Sequence, residues 1–306
     1  MSVLTDAWRL LRDTVEAFID DDALSRGASI AYYTIFSIAP VLLVVVAVAG
    51  VAFGRDAAQG AIVFQLSGLM GHDTAKALQA MIESANNPKA STWATALGLA
   101  TMMITVTGVF SQVQSALNAI WKVESRESAM SRLVRARLMS LSLVVTSGFL
   151  LTVSLATSAA LAAISDWLKF LYPDIATLAH LVDAGISGVL IAGLFAAIYK
   201  VLPDTDVAWR DVGVGAIVTM LLFEGGKYVI ALYVGQSNVA SSYGAAGALI
   251  VLLLWIYYSA QIFLFGAEFT HAFARRFGSK AATPDARGAL PHRPTSTGPT
   301  PNGGTT

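Results

Sequence analysis

The chain has 306 residues, of which 55% are apolar and only 13% charged, about half the charged fraction of a soluble globular protein. Twenty Lys plus Arg balance twenty Asp plus Glu, so there is no net basic charge to recruit a nucleic acid. The absence of cysteine excludes disulfides, thiolate nucleophiles, Cys-ligated zinc and iron–sulfur clusters.

In residues 1–22, Leu4, Trp8, Leu11, Val15 and Phe18 recur at steps of three and four. This is the apolar stripe of an amphipathic helix, expected either on the inner membrane interface or packed against the loops of the membrane domain. From Gly27 to Gly54 there are 28 residues without a charge. As a helix they rise about 42 Å, against a hydrocarbon core of about 30 Å, so a first span is expected over about 28–53. Asp20, Asp21 and Asp22 precede it and no small-residue cleavage site follows a short apolar core, so it is expected to be retained rather than processed as a signal peptide. Pro40, in its middle, removes a backbone hydrogen bond and predicts a helix kink.

The loop from Arg55 to Lys89 carries Ile62, Val63, Leu66, Leu69 and Met70, then Ala77, Leu78, Met81 and Ile82, a pattern that predicts two short helices over the outer mouth. Uncharged stretches predict further spans over 90–121 and 138–165. A weaker span over 178–200 carries His180 and Asp183 in its first turns and Gly185, Gly188 and Gly193 along it. A fifth, 212–234, is interrupted by Glu224 and Lys227, and a sixth, 244–267, ends at Glu268. The linker Gln236–Gly247 between these two is expected to be an ordinary short loop. From Gly278 onward the tail holds five of the nine prolines and no apolar period, the composition of a disordered segment.

The expected fold is therefore all-α. It is a polytopic integral membrane protein with six transmembrane helices (23–277), an N-terminal interfacial amphipathic helix (1–22) and a disordered C-terminal tail (278–306). Fifteen of the twenty positive charges fall in the N-terminal segment, the second and fourth loops and the tail, and four in the other three loops. That asymmetry predicts that both termini are cytoplasmic.

No spacing typical of an enzyme is present. The closest two of the four histidines, His271 and His292, are 21 residues apart, so no His pair lies at helical ligand spacing. There is no P-loop, nucleophile elbow or dinucleotide-binding turn, and no cofactor or metal is expected. The costly residues are Glu224 and Lys227, since each charge near a bilayer centre costs about 2.5–3.5 kcal/mol on insertion scales. Spaced at i, i+3 they share a helix face, and two roles stand open: an ion pair that fixes packing, or a substrate or coupling site.

A second polar group collects at the inner ends of the spans. Helix two carries Ser111, Gln114, Ser115 and Asn118 in its last turns, with Ser111, Ser115 and Asn118 on one face. Helix six carries the stripe Tyr257, Gln261 and Glu268, and Arg26 opens helix one. These residues either line a vestibule, with Arg26 and Glu268 as partners, or act as interhelical glue worth about 0.6–2 kcal/mol per contact.

Several strings resemble one family when taken in order. They are Arg26-Gly-Ala-Ser-Ile-Ala-Tyr-Tyr-Thr34 before Pro40, Phe110-Ser-Gln-Val-Gln-Ser-Ala-Leu-Asn-Ala-Ile-Trp121, Tyr199-Lys-Val-Leu-Pro-Asp204, Trp209-Arg-Asp211, Glu224-Gly-Gly-Lys227, Tyr243-Gly-Ala-Ala-Gly247 and Gly266-Ala-Glu268. Over residues 8–277 the chain resembles the YihY/BrkB family of bacterial inner-membrane proteins, once mislabelled ribonuclease BN. The resemblance implies a six-helix protein of the cytoplasmic membrane, in a family to which virulence-related and transport or envelope roles are ascribed. Two departures stand out: Pro203-Asp204 where relatives carry Pro-Asn, and a Gly within Glu224-Gly-Gly-Lys227 where a larger apolar residue is common, which questions the regularity of helix five. The old ribonuclease label fits poorly, since a hydrolytic nuclease needs metal ligands beside a basic groove. The function expected is movement or accommodation of a lipid, lipid-linked or small-molecule substrate through a polar cavity. A non-transporting scaffold for envelope partners is the alternative, and a membrane enzyme the least favoured reading. No internal inverted repeat supports the transporter, because the similar strings Tyr32-Tyr33-Thr34 and Tyr257-Tyr258-Ser259 fall on helices that such a repeat would not pair.

Overall fold

The computed structural model describes residues 3–70, 75–76, 78–80, 83, 107–123, 175–236 and 245–280. Every regular element among them is helical: α1 (Val3–Asp20), α2 (Ala23–Phe53), α3 (Arg55–Met70), α4 (107–120), α5 (Ile175–Val201), α6 (Trp209–Gln236) and α7 (Ala245–Arg276). The expected third span, the first part of the second, the linker 237–244 and the tail from 281 lie outside the described residues.

Trp209–Ile230 and Leu249–Arg276 are each long and apolar enough to cross a bilayer. The helices run past the expected span ends, α7 by about two and a half turns beyond 267. The reason is that its last turns find partners inside the protein: Arg276 pairs with Asp6 at 3.5 Å and Asp13 at 3.0 Å of α1. Helix α6 passes through Gly225–Gly226 without interruption, and α2 stays helical through Pro40.

Helix α7 is the centre of the assembly, packing against α6, α2 and α1; α5 packs on α6, and α3 on α2. The α6–α7 contact is set by a reciprocal pair of small residues. Thr219 Oγ1 donates to Gly215 O at 2.7 Å, and Thr270 Oγ1 donates to Gly266 O at 2.7 Å. Each threonine thus satisfies its hydroxyl within its own helix and presents its side chain to the glycine opposite. A Cβ at Gly266 would lie 2.9 Å from Thr219 Cβ and 2.6 Å from Tyr199 OH, and one at Gly215 would lie 2.8 Å from Thr270 Cβ. Such close approach is what association in lipid relies on, where apolar side chains gain little by leaving the tails. Tyr199 of α5 completes the contact by donating to Phe263 O at 2.7 Å, with Thr219 Oγ1 at 3.1 Å.

Two apolar clusters follow. One joins Ala23, Ile30, Leu117, Ile120, Trp121, Tyr199, Val212, Phe263 and Leu264 at the end of the bundle where α4 and α7 finish. The other joins Ala31, Leu42, Val45, Ile62, Leu78, Leu252 and Ile256 toward the opposite end.

Candidate functional site

Three chain reversals bring the polar residues together. Helix α1 ends at Asp20, and Asp22 takes a left-handed conformation (φ 53°) before α2 begins. Helix α4 ends in a Schellman-type turn: Val123 N bonds Asn118 O at 2.9 Å and Lys122 N bonds Ala119 O at 3.0 Å, with Lys122 left-handed at φ 54°. Residues other than Gly seldom hold such backbone angles, and both examples flank the same cluster. The third reversal, Phe277–Lys280, follows α7.

Lys122, turned back by its left-handed backbone, bonds Asp21 Oδ1. Arg26 Nε donates to the backbone carbonyl of Asp21 at 2.8 Å. Glu268 of α7 is fully buried with no donor to either carboxylate oxygen, and Asp21 Oδ2 is likewise buried and unmet. One turn on, the buried His271 ring lies 5.0 Å from that of Trp121, over which Lys280 Nζ sits at 4.7 Å. The cluster therefore alternates charge: Asp21 and Glu268 face Lys122 and Arg26, with His271 behind.

Gln114 and Asn118 lie beside this cluster but serve another partner. Asn118 Nδ2 donates to Asp204 Oδ2 at 2.8 Å, Gln114 Nε2 donates to Asp204 Oδ1 at 3.0 Å, and Asp204 N donates back to Asn118 Oδ1 at 2.9 Å. This clamp ties the α5–α6 loop to α4. The face expected from Ser111, Ser115 and Asn118 does not form a unit: Ser111 and Ser115 are exposed, and it is the i, i+4 pair Gln114 and Asn118 that points at the loop. Gln261 fills the space left by Gly27, whose Cβ would stand 2.9 Å from Gln261 Cδ, and its amide donates to Leu24 O at 3.3 Å. Tyr257, one turn before Gln261 and three before Glu268, packs against the second apolar cluster, apart from the charges. Arg26 bonds the carbonyl of Asp21 and does not reach Glu268.

Glu224 and Lys227 pair with each other at 2.7 Å, with side chains 33% and 24% exposed. They sit on the flank of α6, beside exposed Leu221 and Tyr228 and next to Gly226, whose close neighbours are Ile262 and Tyr258 of α7. The pair is about 20 Å along α6 from Asp211, far from the Asp21–Glu268 cluster.

Several contributors carried no signal strong enough to be read in sequence. In the sequence Asp21 and Lys122 are charges outside the apolar runs, His271 a histidine with no second histidine at ligand spacing and Asp204 a loop acid. Asp211, fully buried in the first turn of α6, accepts from Ser279 N at 3.0 Å and Ser279 Oγ at 2.6 Å, pinning the reversal after α7. On the exposed α5–α6 loop, the hydrogen bond from Lys200 holds the Asp206 carboxyl below the ordinary carboxylate range.

Residues 14–289 match the family described as virulence factor BrkB. The chain is 26% identical over 275 residues to a UPF0761 membrane protein of Psychrobacter sp. strain PRwf-1, covering 86% of this chain and 48% of that protein. It is 30% identical over 264 residues to a UPF0761 membrane protein of Alcanivorax borkumensis, covering 84% and 58%. The UPF0761 membrane protein YihY of Salmonella typhimurium is 33% identical over 181 residues, 58% of each chain. The matches thus span about half to three fifths of the length of these curated relatives. No solved structure matches the chain.

Proposed function

The chain belongs to the YihY/BrkB family of membrane proteins, and from that premise we propose that it moves an amphiphilic, lipid-class substrate across a bacterial cytoplasmic membrane. The observation that carries this reading is the Glu224–Lys227 pair. A pair whose only role was to pack helices would be sealed between them, whereas this one is a quarter to a third open on a flank that also carries the exposed Leu221 and Tyr228. A half-open spot carrying one positive and one negative charge on an apolar flank suits a zwitterionic or anionic headgroup whose acyl chains stay in the lipid. In this reading the protein has six spans and binds substrate without covalent chemistry. In the same reading both termini, and the Asp21–Glu268 cluster with them, lie on the cytoplasmic side, which the distribution of positive charge favours.

The test is scrambling of a fluorescent phospholipid in vesicles holding the purified full-length chain. Glu224→Gln should slow the protein-dependent rate by tenfold or more, about 1.4 kcal/mol on the barrier. An unchanged rate would remove the pair from the pathway, and no protein-dependent rate at all would remove translocation.

A separate observation favours the scaffold as second reading. Helix α1 buries Leu10 and Thr14 and packs Phe18 on Phe265 at 5.8 Å, yet leaves Trp8, Leu11, Val15 and Ile19 exposed as a continuous apolar stripe. That stripe suits the membrane interface or an envelope partner. Stable crosslinks from Trp8 to another protein, together with absent lipid flux, would favour the scaffold.

A further inference from the structure

We propose that Asp21 and Glu268 form a proton-binding site, a single proton shared between their carboxyls, which holds the α1–α2 junction against α7. Glu268 is completely buried, and three carboxylate oxygens of the pair, both of Glu268 and Oδ2 of Asp21, meet no donor among the described residues. Asp21 is the strongest charged neighbour of Glu268. Lys122 occupies the other oxygen of Asp21, and Arg26 is directed at the Asp21 backbone, so neither cation covers the facing oxygens.

Two ionised carboxylates in buried contact repel each other. A proton on one, donated to the other, replaces that repulsion with a hydrogen bond and satisfies two acceptors. Lys122 stabilises the charge on Asp21, so the O–H forms on Glu268, with solvent as proton donor and acceptor. A divalent cation suits the site less well, because Lys122 and Arg26 already balance the two acids, and no group of three metal-ligating side chains occurs among the described residues. The charged groups facing Glu268 are Asp21 from the α1–α2 turn, Arg26 from α2 and Lys122 from the end of α4. His271 lies one turn away on α7, with Arg275 and Lys280 beyond it. Helix α6 brings Asp211 to this end, engaged by Ser279.

The backbone supplies a joint on which such a site can act. Asp21 precedes the left-handed Asp22, where α1 meets α2. Loss of the proton sets one buried charge against another at that joint, and the relief available is movement of the junction off α7. The site then reads proton occupancy as an opening of this end of the bundle. As a coupling device it rests on the translocation reading and names the proton as its ion; as a binding site it stands alone.

The experiment is pH-difference infrared spectroscopy on the full-length protein in lipid nanodiscs, with melting temperature followed in parallel. The wild type should show a carboxylic-acid carbonyl band that vanishes as pH rises, and a melting temperature that falls through the same titration. Glu268→Gln should lack the band and melt with little pH dependence. Asp21→Asn removes the opposing charge and should move the titration at least one unit toward acid. Should Glu268→Gln fail to fold, the Asp21→Asn shift still decides. A band that persists in Glu268→Gln, a titration unmoved in Asp21→Asn, or a wild type that responds to sodium in place of choline but not to pH would each overturn the proposal. Absent lipid scrambling with the band intact would overturn translocation alone.

Discussion

Gly266→Ala is the sharpest test of the helix packing. The added methyl would stand 2.6 Å from Tyr199 OH and 2.9 Å from Thr219 Cβ, inside van der Waals contact, and Thr219 is a β-branched residue whose position is fixed by its bond to Gly215 O. Helix α6 must move away, at an overpacking cost of about 1–3 kcal/mol. The added methyl also displaces Tyr199 OH from Phe263 O, to which it donates at 2.7 Å, about 1 kcal/mol. The gain in helix propensity from Gly to Ala returns at most about 1 kcal/mol, so the clash wins and a net loss of about 1–3 kcal/mol is expected. Gly213, where a Cβ meets nothing within 4 Å, is the control: Gly213→Ala should be neutral or slightly stabilising. Adding Thr219→Ala to Gly266→Ala removes the hydroxyl and one methyl but leaves Cβ, so partial rescue is expected, with a coupling of about 0.5–3 kcal/mol in a double-mutant cycle. Reversible unfolding in mixed detergent micelles would measure the wild type, Gly213→Ala, Gly266→Ala, Thr219→Ala and the double variant. A Gly266→Ala protein as stable as wild type, or a Gly213→Ala protein equally damaged, would refute the reciprocal Gly–Thr contact.

The remaining predictions concern the polar groups. Glu224→Leu or Lys227→Leu alone should cost about 2.5–3.5 kcal/mol by stranding a charge in the apolar stretch of α6, while the double replacement should restore stability but not lipid scrambling; equal stability of all three would mean the charges already reach water. Asn118→Ala breaks two hydrogen bonds to Asp204 and should cost about 2–4 kcal/mol, seen as faster proteolysis of the α5–α6 loop, whereas Ser115→Ala, on an exposed side chain of the same helix, should change nothing measurable. Asp211→Ala frees Ser279 and should raise amide exchange at Ser279 and Lys280 without altering exchange in the middle of α6.

The amino-acid sequence by itself determined that this is a membrane protein of helices, because runs of more than twenty uncharged residues have no other stable use and lipid leaves backbone groups no partner outside the helix. It also marked Glu224, Lys227 and Glu268, since a charge in such a run is conspicuous wherever it points. The i, i+3 spacing of Glu224 and Lys227 was enough to foresee their pairing. Partners across the bundle were a different matter. Arg26 and Glu268 looked like mates because both sit at span ends, but the left-handed turns at Asp22 and Lys122 steer Asp21 between them, and no residue pattern announces a left-handed aspartate or lysine. Gln114 and Asn118 were legible as polar, but that they clamp Asp204 depends on how the α5–α6 loop folds back 86 residues later. The Gly215–Thr219 and Gly266–Thr270 strings are ordinary small residues until the two helices cross, when each threonine meets the other helix's glycine. Spacing along one helix is fixed by its pitch and can be read directly; contact between helices depends on crossing geometry and loop conformation, which only the folded chain supplies.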